Sequence, residues 1–360
     1  METPLVLGCE ESPKPHYNMP LLPYLARVTS RENLTSAEAR AAMLSILGGQ
    51  AGHAQMAGFL VALRMKGETV DELVGFARAM REMATPVDCG SGGDPLLDTC
   101  GTGGDGASTF NISTIAAFVA AGAGVRVAKH GNRSISSRCG SADLLEALGI
   151  TVTTPPEESA RAIREIGIGF FFAPNAHTAM KHAQPVRVAL GIRTTFNLLG
   201  PLTNPAIADA QLAGAPSAHA AGLIAHALGA LGLRRGFVVH GSDGLDEITT
   251  TGDTLVFSIR DGAVERLTWT PEDFGAPRAA AEVLKGGDVA ANAGIARAVL
   301  SGGRGAQRDI VLVNAAAALV AAGKAAGLAE GMERAAHSID SGAAAARVAA
   351  LAKFTTEPRP

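Results

Sequence analysis

The chain of 360 residues is poor in cysteine, in aromatic rings and in net charge, and each shortage removes a class of protein. Its four cysteines, Cys9, Cys89, Cys100 and Cys139, show neither a CxxC pair nor Cys/His ligand spacing, which excludes a zinc knuckle or a disulfide framework. Reduced thiols in a cytosol fit that usage, so a cytoplasmic protein is expected. Aromatic residues are 4% of the chain and the formal charge is -3. With no basic face and few stacking rings, nucleic acid is not an expected partner. The longest apolar run, IVLVNAAAALVAAG at 310 to 323, is too short for a bilayer and is interrupted by Asn314. No membrane span is expected. The start of the chain carries Glu2, Glu10 and Glu11 where a signal peptide needs a basic start and an apolar core, and residues 1 to 20 read as a mobile tail.

What the chain has in quantity is apolar surface, 47% of its residues, enough for one large domain or two ordinary ones without staples. Residues 36 to 84 read as consecutive helices, the first opening at Thr35 or Ser36 as a cap. The turn-rich segment TPVDCGSGGDP at 85 to 95 marks a boundary or hinge near residue 90. Beyond it, LLDTC (96 to 100), VRVAK (125 to 129), GFFFA (169 to 173), GFVVH (236 to 240) and TLVFSI (254 to 259) read as strands, most of them separated by helical patterns. That alternation predicts an α/β fold with a mostly parallel sheet. After about residue 280 the chain is alanine-rich and helical. The division expected is a helical domain over 21 to 90 and an α/β domain over 91 to 360.

The stretch DTCGTGGDGASTFNIST, 98 to 114, is a strand, a glycine turn and a helix start, an arrangement that aims free backbone N–H groups at an anion. Gly101, Gly103 and Gly106 formally satisfy GxGxxG, so a dinucleotide site is one reading and a glycine-rich surface turn without a ligand another. VRVAK is followed by His130 without the acidic ribose ligand, and no lysine lies between Gly101 and Lys129 to make a P-loop. Three further clusters bear on the choice. Lys129, His130, Asn132 and Arg133 follow a predicted strand, either facing the turn or forming a solvated basic loop. His177, Lys181, His182, Arg187 and Arg193 are cations in a mostly apolar segment, which points to a carboxylate or phosphate clamp. Asp243, Asp246 and Glu247 end a strand, as a hard oxygen site for Mg²⁺ or as a capped helix start.

In this order GTGGD, NIST, KHGNR, GSADLLEALG, VRVALGIRTTFNLLGPLTNP and GLDE resemble the anthranilate phosphoribosyltransferases, and the similarity covers almost the whole chain. The resemblance implies transfer of phosphoribose from 5-phosphoribosyl 1-diphosphate (PRPP) to the amine of anthranilate, releasing diphosphate, in tryptophan biosynthesis. It implies a small helical domain, joined by helices from about 177 to 205, a larger α/β domain, a cleft between them and a homodimer. It matches Gly101, Gly104 and Asp105 to the diphosphate turn, and Thr109, Asn111, Ser113, Thr114, Lys129 and Ser141 to phosphate and ribose contacts. Ser113, Asp246 and Glu247 match the ligands of Mg²⁺, two ions per monomer. Gly101, His130, Asn132, His177, Arg187 and Pro201 match the anthranilate slot, with Arg187 as partner of the carboxylate. No single acid or base is nominated, because an aromatic amine attacks without prior deprotonation. The chain departs from the family at Gln50, at Gly52-His53, at Thr178 and at Cys139, all outside the metal and diphosphate motifs. A nucleoside phosphorylase of the same fold, a non-catalytic binding module and an NAD-dependent oxidoreductase are the competing functions.

Overall fold

The computed structural model describes residues 20–90, 93–134 and 138–357; Cys9 and, apart from Pro20, the expected tail lie outside these. Four helices come first: α1 (Leu22–Thr29), α2 (Ser36–Leu47), α3 (His53–Lys66) and α4 (Val70–Glu82). Thr35 caps α2 reciprocally. Its hydroxyl accepts from Glu38 N at 3.3 Å, and the Glu38 carboxylate accepts from Thr35 N at 2.9 Å. Thr69 and Glu72 repeat the device on α4. Glu72 is fully buried, and its charge is compensated by Lys66 Nζ at 2.9 Å and by Leu34 N at 2.9 Å.

The larger domain alternates strands and helices: β1 (Leu96–Gly101), α5 (Ile112–Gly122), β2 (Arg126–Gly131), α6 (Ser141–Ala147), α7 (Pro156–Ile166) and β3 (Ile168–Phe172). Three short helices, α8 (Ala173–Ala176), α9 (Gln184–Leu190) and α10 (Phe196–Leu199), then lead to β4 (Ala210–Gly214), α11 (Ala218–Ala230) and β5 (Arg235–Gly241). A hairpin of β6 (Thr254–Arg260) and β7 (Ala263–Trp269) precedes α12 (Val289–Leu300), α13 (Ala306–Ala321), α14 (Leu328–Asp340) and α15 (Ala343–Thr356). The sheet order is β3-β2-β1-β4-β5-β6-β7, parallel from β3 to β5 and antiparallel over the last two pairs. Five strands agree with the sequence reading to within a residue or two; β4 and β7 were not expected. The buried AQLAG of β4 has no β-branched residue, and β7 is an edge strand with Glu265 and Arg266 exposed, so neither carries the usual strand signature.

Alternate residues of the central strands feed two cores. Leu212 and Val239 join α5, α13 and the C-terminal helices, while Ala213 and Val238 join α11, α1 to α4 and the residues Val186, Phe196 and Leu199. The helical domain and the crossing segment at 183 to 202 therefore share one apolar cluster. The strand order reverses between β1 and β4, and the crevice outside the carboxyl ends of strands at such a point is where open α/β sheets bind ligands.

Candidate active site

The glycine turn leaves β1 at that crevice. Gly103 and Gly104 have φ of 65° and 75°, a region that side chains disfavour. Close approach constrains the turn further: a Cβ on Gly101 would collide with Asp246 Oδ2, and one on Gly104 would collide with Arg193 Nη1. The turn feeds α5, whose first residues include Ser113 and Thr114, so the positive end of the helix dipole faces the crevice. Asn111, before the helix, is held on both sides of its amide. Its Nδ2 donates to Cys139 O at 3.0 Å, and its Oδ1 accepts from Asn292 Nδ2 at 3.1 Å.

Asp246 and Glu247 enter from the loop after β5. Gly103 N donates to Asp246 Oδ2 at 2.7 Å and Ser113 N donates to Glu247 Oε1 at 3.1 Å, so the two carboxylates occupy amide donors of the kind that cradle phosphate. Burial, followed by the like charge of a neighbouring carboxylate, pushes both acids above their ordinary range; the neighbour is Asp105 for Asp246 and Asp246 for Glu247. Crowded anions of this kind fit a divalent cation. Among the described residues no three His, Cys, Asp or Glu side chains form a metal cage by themselves. The donor set suits Mg²⁺, which keeps water and substrate phosphate among its ligands. Asp243 has a different task. It accepts from Leu245 N at 3.2 Å and from the hydroxyls of Thr249 and Thr251, and so shapes the loop.

The opposite wall is half apolar. His130, at the end of β2, and His177 meet edge to face with ring centroids 5.2 Å apart. His130 Nδ1 lies 3.3 Å from Gly200 O, while Nε2 of both rings is buried without a partner. Burial first, and then the neighbouring ring, hold His130 down to about 3; burial holds His177 to about 4, so both rings are neutral at pH 7. Arg187 on α9 stands 5.1 Å from the centroid of the Phe196 ring, a cation against an aromatic face. Lys129 is buried below the turn and donates to Thr99 O.

One cavity of about 700 Å³ is lined by Gly101, Gly104, Asp105, Thr109, Asn111, Ser113, Thr114, Lys129, His130, Asn132, Ser141, His177, Arg187, Asp246 and Glu247. Pro201 is not among the lining residues; it is buried next to Gly200, and its carbonyl accepts from Gln211 Nε2 at 2.8 Å. Two residues of the basic segments are engaged by protein groups. Arg133 pairs with Asp143 at 3.0 Å and Glu146 at 2.6 Å, and the His182 ring packs over Gly49 of the helical domain. Asn314 escaped the sequence reading as a functional residue. Buried in α13, it donates to Ile248 O at 2.8 Å and accepts from Ile248 N at 3.0 Å, clamping the residue after Glu247. Its only signal in the sequence is an amide in the apolar run from Ile310 to Ala321.

Residues 93–345 match the model of a glycosyl transferase family, a/b domain, and residues 22–84 match the same family's helical bundle domain. The chain belongs to that glycosyl transferase family. A curated anthranilate phosphoribosyltransferase of Solibacter usitatus is 68% identical over 93% of this chain and 99% of its own length. The crystal structure of the Thermus thermophilus anthranilate phosphoribosyltransferase superposes with a TM-score of 0.87 at 45% identity, covering 92% of this chain and 99% of the other. The Saccharomyces cerevisiae enzyme in complex with PRPP and Mg gives a TM-score of 0.83 at 28% identity, covering 93% of this chain and 98% of that one. The same yeast enzyme has also been solved with 4-fluoroanthranilate. Within the wider family, then, this chain is a member of the anthranilate phosphoribosyltransferases, which are pentosyl-transferring enzymes. The comparisons favour that activity over the nucleoside phosphorylase, the NAD-dependent enzyme and the binding module.

Proposed function

We propose that the cavity holds PRPP along the glycine turn and the start of α5, and anthranilate against the wall formed by His130, Asn132, His177 and Arg187. The observation that carries this reading is the meeting, in one cavity, of a glycine turn at a helix start, a carboxylate pair and an arginine on an apolar wall. In the reaction the C1–O bond to diphosphate breaks with its electron pair going to the leaving oxygen. The anthranilate nitrogen lone pair forms the C1–N bond, and the nitrogen releases a proton to water. An aromatic amine is uncharged at neutral pH, so alignment and stabilisation of the leaving charge dominate.

Gly101, Gly104, Asp105 and Thr109 border the diphosphate; Asn111, Ser113, Thr114, Lys129 and Ser141 donate to the phosphate and ribose oxygens. The Asn111 amide has its oxygen taken by Asn292 and one N–H by Cys139 O, so its second N–H is the one to donate. Ser113, Asp246 and Glu247 would hold Mg²⁺, two ions per monomer in our reading, and bound Mg²⁺ neutralises charge on the departing diphosphate. Arg187 pairs with the anthranilate carboxylate, while Gly101 bounds the slot. We further read residues 21 to 90, with the helices of 177 to 205, as a domain distinct from residues 91 to 360, in a cytoplasmic enzyme of tryptophan biosynthesis. A homodimer through the helical domain is supported by Leu22, Met65 and Val188, large exposed apolar residues on α1, α3 and α9, of which α3 packs against the other two. The test of the metal assignment is the double variant Asp246→Ala, Glu247→Ala. Its Mg²⁺-dependent turnover is expected to fall by about 10³-fold with an intact fold by circular dichroism. Near-normal turnover removes the assignment.

A further inference from the structure

Among the cations that line the cavity, one rests on the glycine turn itself. Arg193 lies between α9 and α10, on the segment that carries the helical side of the molecule across the crevice, and its side chain lines the cavity. Its Nη1 occupies the space that a Cβ on Gly104 would need, so the guanidinium rests directly on the glycine turn. Its Nη2 is buried and has no hydrogen-bond partner. Asp246 and Asp105 attract it and Arg64 repels it, which leaves a cation poised at the edge of the carboxylate group. The backbone beside it is anchored: Arg64 Nη1 on α3 donates to Arg193 O at 2.7 Å. A buried guanidinium edge without an acceptor has a cost in free energy that an anionic oxygen would remove, and a planar fork of donors suits phosphate.

We propose that Arg193 is a catalytic residue that donates from its guanidinium to the diphosphate of the donor substrate, stabilising the charge that gathers there as the C1–O bond breaks. This rests on the assignment of the glycine turn to diphosphate. It gives Gly104 a second reason to lack a side chain, since a methyl group there displaces the guanidinium. It also makes Arg64 a positioning residue, fixing from the helical domain a group that acts on the sheet domain.

The experiment compares wild type, Arg193→Gln and Arg193→Lys in two measurements: calorimetric binding of inorganic diphosphate in the presence of Mg²⁺, and steady-state kinetics with each substrate varied. For Arg193→Gln the expected result is diphosphate binding weakened by about 10- to 100-fold, and kcat/KM for PRPP lowered by about 10²- to 10³-fold. The KM for anthranilate stays within about twofold, and Arg193→Lys recovers part of the diphosphate affinity. Unchanged diphosphate binding overturns the proposal, and so does a gain in Mg²⁺ affinity as the sole effect, which would make Arg193 only a neutraliser of Asp246 and Asp105. Should Arg193→Gln fail to fold, Arg193→Lys decides alone: about a tenfold loss in kcat/KM for PRPP supports the proposal and wild-type kinetics refute it. If wild type neither binds diphosphate nor consumes anthranilate, the underlying assignment of the cavity fails. Active wild type with an unaltered Arg193→Gln removes only the role of Arg193.

Discussion

Arg187 holds a charge where water is scarce. Burial alone pulls its guanidinium below the ordinary arginine range, and the Phe196 ring face offers partial compensation. A carboxylate-bearing flat ring supplies what is missing. For Arg187→Ala the KM for anthranilate should rise by about 10- to 100-fold, the worth of one charged hydrogen-bonded pair, with the KM for PRPP little changed. Steady-state kinetics with each substrate varied would check it, and an unchanged anthranilate KM takes Arg187 out of the slot. The two histidines give a pH signature. Their folded values of about 3 and about 4 lie below the unfolded value of 6.5. Below pH 6.5 the unfolded chain therefore binds protons that the folded chain refuses, so the stability present above that pH is lost as pH falls toward 4. Each ring contributes a slope of about 1.4 kcal/mol per pH unit. Urea unfolding between pH 6 and 4.5 should give a shallower slope for His177→Gln than for wild type; identical slopes would mean that His177 is protonated in the folded protein.

At the scale of elements, the site is a set of loops whose shape is fixed from behind. Asn314 is the clearest case, since α13 holds the loop of Asp246 and Glu247 through both the N–H and the carbonyl of Ile248. Asn314→Leu preserves volume but leaves those two buried groups unpaired, which should cost about 2 to 4 kcal/mol. It should also raise the Mg²⁺ concentration needed for half-maximal turnover. Denaturant unfolding and a Mg²⁺ titration measure the two effects, and an unaltered Mg²⁺ requirement would separate α13 from the metal loop. The elements themselves were partly legible. The caps at Thr35 and the strands from LLDTC to TLVFSI follow from local pattern. The strand β4 escaped because AQLAG is suited to close packing on both faces: a Cβ on Gly214 would collide with Asp246 O. Strand propensity says little where small size is the requirement.

The whole molecule brings together a helical domain and a sheet domain by sharing one apolar cluster across the crossing segment that carries Arg187 and Arg193. Sequence order made the motifs visible but not their adjacency. Asp246 stands 143 positions after Gly103 and is bonded to it at 2.7 Å. The resemblance supplied the site as a set. It did not supply the supports, Asn292, Asn314 and Arg64, whose meaning lies only in what they touch. Arg133 shows the converse: conspicuous in the sequence, it pairs with Asp143 and Glu146 on α6. The central claim is that this cavity joins PRPP to anthranilate in the presence of Mg²⁺. The most direct measurement follows anthranilate fluorescence in the purified protein with PRPP and Mg²⁺, with and without a chelator. A steady loss of fluorescence is expected that depends on both PRPP and Mg²⁺ and stops when the metal is removed. Fluorescence that persists with both present would contradict it.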